Sequence, residues 1–398
     1  MQQAVNLDAK SINITTKKEK KQRIQSVDML RGFALIGILF ANILWYSGYL
    51  DSPVSVRGDL LNTSIFDEAV LFLTRLLVHG KFYFIYSFLF GLGFYILYSR
   101  ANSRYPSFSR YFIKRQLILF LIGCIHAVFI WWGDILRYYA LIGLVLLLLK
   151  NWEPEHLLKL SLALLLTPLL LDIVNALWSI SLNLSFAPES NKSVLLSLYQ
   201  QGLWFDANFD RMLIGLQGNI NSGRLLRIMG MFIMGYYFGQ IRFFTESTRS
   251  SLLQKRLMIF AVLVALPLGL IKTGASYYDY GFSKMNATLV KEFLYVISVT
   301  GMSLGYIALI AYSGNYLQQT LVGRWLQTLG RVPLTNYILQ SIIGYVIFQG
   351  FGLFAEVPLF QVYMLSLVII AVQLFLSIEW LKRRKMGPVE ELWRRIAG

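Results

Sequence analysis

The stretch Val27-Asp-Met-Leu-Arg31-Gly-Phe-Ala-Leu-Ile-Gly37-Ile-Leu-Phe-Ala-Asn42-Ile-Leu-Trp45-Tyr46-Ser47 decides the fold. It carries two charges, Asp28 and Arg31, both at its beginning, and ends in aromatic residues. A helix needs about 20 mostly apolar residues to cross a bilayer, and aromatic rings favour the membrane interface. The stretch therefore reads as a membrane-spanning helix. The residues before it are polar and include Lys17, Lys18, Lys20, Lys21 and Arg23. No small-residue cleavage site follows the apolar core, so the segment reads as an uncleaved first span with its N-terminus inside.

The whole chain agrees with that beginning. Of 398 residues, 56% are hydrophobic and only 15% charged, and the mean hydropathy is +0.55. A soluble domain would carry about a quarter charged residues. The expectation is an all-α, polytopic helical membrane protein with about ten transmembrane helices. They fall near 27 to 47, 80 to 98, 110 to 132, 135 to 149, 157 to 180, 223 to 243, 256 to 274, 289 to 311, 332 to 350 and 359 to 380. Three regions follow: a basic cytoplasmic tail over 1–26, one transmembrane domain over 27–381, and a basic cytoplasmic tail over 382–398. An aromatic, apolar insertion at about 183–222 is expected as one or two helices on the outer surface or over a cavity.

The formal charge of +16, from 37 Lys and Arg against 21 Asp and Glu, admits a nucleic-acid reading and a topological one. Assigning each basic residue to a loop places 25 of the 37 on the inner side, in clusters such as Arg100 to Arg115 and Lys382 to Lys385. That is the asymmetry of a multi-pass protein with both termini cytoplasmic. Nucleic acid is not an expected partner, and the cell membrane is the expected location. One cysteine, Cys124, excludes an intrachain disulfide, and three scattered histidines give no metal set, so no metal is expected. No phosphate loop of an ATP-driven pump is present. Pro168 and Pro267 should kink their spans, and the pairs Gly235/Gly239 and Gly301/Gly305 are spaced for close helix packing.

Ionisable groups at membrane level are costly and mark functional sites or tight structural bridges. Three places qualify. At Ser26-Val-Asp28-Met-Leu-Arg31, Ser26 can cap the helix and Asp28 suits its positive end, while Arg31 can bind a phosphate or carboxylate entering from the cytoplasm. Asn42 adds a polar contact deeper in the same span. The densest constellation is Gly123-Cys-Ile-His126 to Trp131-Trp-Gly-Asp134-Ile-Leu-Arg137. His126 there can serve as a general base, and Asp134 can either orient the imidazole or pair with Arg137. At His79-Gly80-Lys81 the bland reading is a snorkelling lysine beside an interfacial histidine, and His156 is read as solvated.

These segments resemble the YeiB family of multi-pass bacterial membrane proteins, domain of unknown function 418. The resemblance rests on Arg23…Asp28-Met-Leu-Arg31-Gly32…Asn42, on Ser87-Phe-Leu-Phe-Gly91-Leu-Gly93, and on Gly123-x-x-His126-Ala127…Trp131-x-Gly133-Asp134-Ile-Leu136…Tyr139. It continues in Gly330-Arg331-x-x-Leu334-Thr335-Asn336-Tyr337 and Gly387-Pro388-x-Glu390-x-x-Trp393-Arg394. The family looks like a branch of a transmembrane acyltransferase superfamily, in which an acyl group passes from cytoplasmic acyl-CoA to a sugar on the far side with the help of an intramembrane histidine. The resemblance implies an integral membrane acyltransferase, acetyl-CoA or another acyl-CoA as donor substrate, and a glycan, lipid headgroup or metabolite as acceptor. It makes His126 and Asp134 the catalytic pair and puts Asp28 and Arg31 on the donor side; Asn42, Arg137 and Asn336 complete the candidate substrate-binding residues. One departure stands out: the O-acyltransferases carry their histidine on the first span, where this chain has Asn42. The alternative reading is a carrier or exporter of a small or lipidic substrate, with Arg31, Asn42, Asp134 and Arg137 lining its path.

Overall fold

The computed structural model describes residues 24–52, 64–101, 107–178, 184–188, 192–245, 247–275 and 284–398, and within them every regular element is helical. The basic run Lys17 to Arg23, and Arg104, lie outside the described residues. In chain order the helices are α1 (Gln25–Tyr46), α2 (Ile65–Leu73), α3 (Lys81–Ala101), α4 (Phe108–Phe129), α5 (Leu136–Val145), α6 (Pro154–Leu165), α7 (Thr167–Trp178), α8 (Lys192–Gln200) and α9 (Trp204–Asn221). Then come α10 (Arg224–Gln240), α11 (Thr248–Phe260), α12 (Leu266–Gly274), α13 (Lys284–Tyr312), α14 (Gly314–Gln319), α15 (Leu321–Arg331), α16 (Pro333–Tyr345), α17 (Leu359–Arg383) and α18 (Pro388–Ala397).

Among the described residues, six helices are long and apolar enough to cross a membrane, or seven if the bent pair α6 and α7 forms one span. The sequence suggested about ten. The difference lies in α5, α10 and α16, which are only 10, 17 and 13 residues long. Protein packing, rather than contact with lipid, accounts for much of their apolar character. In α5, for example, Leu136, Tyr138, Tyr139, Ala140, Ile142 and Gly143 are all buried. A helix enclosed by its neighbours is hydrophobic on every side whatever its length.

Glycine sets the closest contacts. A Cβ on Gly91 would overlap the Phe232 carbonyl oxygen, and one on Gly235 would overlap that of Phe88, so α3 and α10 meet backbone to backbone. Gly32 against Leu326 and Gly330 against Asp28 join α1 to α15 in the same way. Gly301 and Gly305 of α13 lie on Ala265 and Ala261. Both small-residue pairs read from the sequence therefore face a partner helix.

The prolines behave differently from each other. Pro168 sits in the 44° bend between α6 and α7. Pro267 follows the π-helical stretch Ala261–Ala265, whose wider turn accommodates its missing N–H within one continuous helix. Ser26 does not cap α1, which begins one residue before it with Ile24 as the N-cap, although Asp28 does lie in the first turn. The insertion forms the two helices α8 and α9. Asn208 of α9 donates to the Ala127 carbonyl at 2.7 Å and accepts from the Trp132 N–H at 2.6 Å. One amide thus meets backbone groups left over where α4 ends.

Candidate active site

His126 lies in the last turn of α4, and Asp134 lies in the irregular link that leads into α5. Helix α4 stops at Phe129, and the chain turns back over its own end. That return is close because position 123 has no side chain: a Cβ there would press on Asp134 Oδ1 and on the Arg137 nitrogen. Gly123, one turn before His126, therefore makes room for the carboxylate. The spacing Gly-x-x-His followed by Gly-Asp is explained by this contact.

His126 Nδ1 lies 2.9 Å from Asp134 Oδ2, and the two residues are 1% and 2% exposed. An ionised carboxylate only accepts, so Nδ1 is the donor of this bond, and in the neutral imidazole Nε2 is then the nitrogen with the lone pair. Nε2 is buried and has no hydrogen-bond partner. The other carboxylate oxygen accepts the Arg137 N–H at 3.0 Å. Asp134 thus bonds both the imidazole and a backbone N–H in the first turn of α5, while the Arg137 guanidinium donates to the Tyr138 hydroxyl at 3.1 Å. A general base needs this arrangement, one nitrogen held in place and the other available.

Aromatic and polar groups enclose the pair. The Tyr337 ring stands 5.3 Å from the His126 ring, and the Tyr46 ring 4.7 Å from that of Trp131. The Tyr46 hydroxyl is 3.0 Å from Ser341 Oγ and is also hydrogen-bonded by Asn42. Asn42 thus belongs to this layer as Tyr46's partner. Sequence reasoning missed Tyr46, Tyr337 and Ser341. The available signal was helical spacing, because 337, 341 and 344 share the face of α16 that meets α1. Asn336 faces the other way. It donates to Ser377 Oγ at 3.0 Å and accepts from Gln373 through its carbonyl at 2.9 Å, forming a bridge to α17.

A cavity of about 490 Å³ lies toward the beginning of α1. Arg31, Arg100, Arg115, Arg331 and Arg394 line it, and its deeper wall is apolar, with Leu89, Leu119, Leu136 and Phe232. Arg100 and Tyr86 both line it and stand 14 residues apart on α3, so it extends about 20 Å along that helix. Neither His126 nor Asp134 is on its surface, but Leu136 is, two residues from Asp134. Arg31 also donates from Nη1 to Asp28 Oδ1 at 2.9 Å, so Asp28 holds Arg31 at the cavity wall from a buried position. Four of them, Arg100, Arg115, Arg331 and Arg394, belong to the basic residues that the sequence assigns to the inner side.

The C-terminal segment completes the cavity. Glu390 of α18 accepts the N–H groups of Leu334 and Thr335 at 2.6 and 3.1 Å and the Thr335 hydroxyl at 2.5 Å, capping α16 from outside its own chain segment. Trp393 donates from its indole to the Arg115 carbonyl at 2.8 Å, and the Arg115 guanidinium lies 3.7 Å above its ring. The motif Gly387-Pro388-x-Glu390-x-x-Trp393 is therefore a docking device for one wall of the cavity.

On the far side, Asp51 pairs with Arg211, whose guanidinium lies 4.4 Å from the Trp132 ring. Burial pushes the Asp51 carboxyl up to about 6 against the opposing pull of Arg211 and Lys192. Burial and the nearby Asp51 charge also push the Tyr199 phenol upward. Lys81 does not snorkel: it is 1% exposed and donates to the Arg75 carbonyl at 3.2 Å. His156 is exposed, as expected. Among the described residues no group of three metal-binding side chains occurs.

The family model described as "Protein of unknown function (DUF418)" matches residues 238–398. The chain is similar to the uncharacterized protein YxaH of Bacillus subtilis (strain 168), at 28% identity with 94% of each chain covered. It is likewise similar to the uncharacterized 39.9 kDa protein in the amylase 3' region of Bacillus acidopullulyticus, at 28% identity with 94% of this chain and 93% of the relative covered. The uncharacterized protein YeiB of Escherichia coli (strain K12) is 24% identical, with 94% and 96% covered.

Proposed function

From the premise that the chain belongs to the YeiB (DUF418) family of helical membrane proteins, we propose that it is an integral membrane acyltransferase. In this reading it moves an acyl group, acetyl in the simplest case, from acyl-CoA to a glycan, lipid headgroup or metabolite hydroxyl across the membrane. The observation that carries the reading is the buried His126–Asp134 pair, with Nε2 unspent, just beyond an apolar cavity whose wall holds five arginines.

The chemistry assigns each part a task. Arginine forks bind the donor's phosphates bidentately, and the apolar wall receives its acyl-bearing arm. His126 Nε2 takes the proton of the acceptor hydroxyl as that oxygen attacks the thioester carbonyl. The new C–O ester bond forms, the C–S bond breaks, and the proton returns to the departing thiolate as a thiol. Asp134 holds the ring in the required tautomer and stabilises the imidazolium while it lasts. For this step the thioester must pass Leu136, the cavity residue closest in sequence to Asp134.

Mass spectrometry of envelope glycans and lipids from wild-type, deletion and His126→Ala strains tests the proposal. An acyl-mass species present only in the wild type is expected. Identical spectra in every fraction overturn it. Counterflow of a labelled substrate in proteoliposomes, unaffected by His126→Ala, would point to a carrier instead.

A further inference from the structure

The His79-Gly80-Lys81 segment has no part in the chemistry above, and the structure gives it unusual company. Lys272, Lys81, Arg224 and Arg75 all lie within Coulombic range of His79. The ring of Tyr295 lies between two more contacts, with the Arg227 guanidinium and the Lys272 ammonium each 5.0 Å from its centre. Glu292 pairs with Arg227. Gly80, at φ +82°, brings the backbone against this group, because a Cβ there would crowd the Tyr295 hydroxyl.

The cluster sits at the membrane face opposite the arginine-lined cavity. Lys81 begins α3 and Arg100 ends it, which places them about 30 Å apart. Helix α10 runs alongside α3 with Phe88 packed on Gly235 and Tyr95 on Gly239, so Arg224 and Arg227 share the Lys81 end.

Two physical features point to an anion. First, α3 and α10 have no acidic residue in the first turn and carry Lys81, Arg224 and Arg227 there. The positive end of a helix favours anions and disfavours cations, so both helix termini add to the field of the side chains. Second, the Lys81 Nζ is buried, carries three N–H donors when protonated, and among the described residues meets a single hydrogen-bond acceptor, the Arg75 carbonyl. A buried cation among other cations is costly unless an opposite charge meets it.

We propose that this cluster is a binding site for a phosphate group, with Lys81 as its buried floor and the exposed His79 and Arg224 as its rim. A tetrahedral phosphate offers acceptors in several directions at once, which suits donors converging from α3, α10 and the Arg75–His79 turn better than a planar carboxylate does. The phosphate belongs either to a lipid headgroup or to a soluble phosphate ester. The site does not depend on acyl transfer.

Hydrogen–deuterium exchange on the full-length protein in phosphate-free dodecyl maltoside micelles, with and without glycerol 3-phosphate, tests it. A parallel arm adds phosphatidylglycerol to the micelles. Slower exchange over residues 74–84 and 223–230 is expected in at least one arm, and that arm identifies the source of the phosphate. Arg224→Gln, a surface change that leaves the fold intact, should weaken the half-protecting concentration about tenfold or more. Lys81→Met should abolish protection, but because Lys81 is buried the Arg224 variant carries the decision. Protection in neither arm, protection confined to peptides around Arg100 and Arg331, or unchanged protection in Arg224→Gln overturns the proposal. No acyl donor is present in this assay, so its result and the strain comparison succeed or fail separately.

Discussion

Replacing Glu390 by alanine should release the C-terminal helix while leaving the membrane core folded. Its carboxylate satisfies two backbone N–H groups at the start of α16, and its charge faces the positive end of that helix. Each lost cap costs about 1 kcal/mol, and the lost charge about 1 kcal/mol more. A change of about 3 kcal/mol in local opening corresponds to about a 150-fold rise in the open population. In Glu390→Gln the amide oxygen still accepts the two N–H groups, the Thr335 hydroxyl accepts from the new amide N–H instead of donating, and the charge is lost, so about a fivefold rise is expected. Hydrogen exchange of the 388–397 peptides, read in the regime where closing outpaces exchange, measures these ratios. Trp393 emission should shift to the red in parallel as the ring leaves Arg115. Unchanged exchange in Glu390→Ala, or equal effects of the alanine and glutamine variants, would refute the capping argument.

Three further outcomes follow from particular contacts. On the proposed function, His126→Gln should lower acyl transfer by about a hundredfold to ten-thousandfold, with Asp134→Asn also strongly impaired, while both variants elute from size exclusion as the wild type does. Asp51 has a folded-state value raised from 3.8 to about 6, so it holds its proton more tightly folded than unfolded. Its ionisation therefore costs stability, progressively from about pH 4 to pH 6, and the full ~3 kcal/mol persists above that window. Tryptophan emission from Trp45 and Trp132, which lie against Arg211, should titrate with a midpoint near pH 6, and Asp51→Asn should lack that midpoint. Finally, Gly235→Ala forces α10 away from the Phe88 backbone and should lower the melting temperature by the equivalent of about 1–3 kcal/mol. Gly218→Ala, where a Cβ meets nothing within 4 Å, should not lower it.

The sequence revealed those features whose signal is local. The first span was legible because a lipid-crossing helix must be long, apolar and charged only near its ends. The His126–Asp134 pair was legible because two costly groups lie eight residues apart across a glycine-permitted break. The number of spans was not, since α5 owes most of its apolar residues to burial inside the protein and α16, at 13 residues, is too short to cross a bilayer by itself. The cavity was not legible either. Its arginines at 31, 100, 115, 331 and 394 are dispersed along the chain, and all but Arg31, which already reads as an anion binder, look like charges that orient a helix. Only tertiary packing brings them to one wall.

The backbone contact between α3 and α10 has a mechanical meaning. Two helices locked at Gly91 and Gly235 cannot slide or splay independently, so they form a single stiff beam between the faces. One end of that beam carries Lys81 and Arg224, and the other contributes Arg100 to the cavity. Any change in the tilt of this pair about its glycine contact would carry Lys81 and Arg100 in opposite directions.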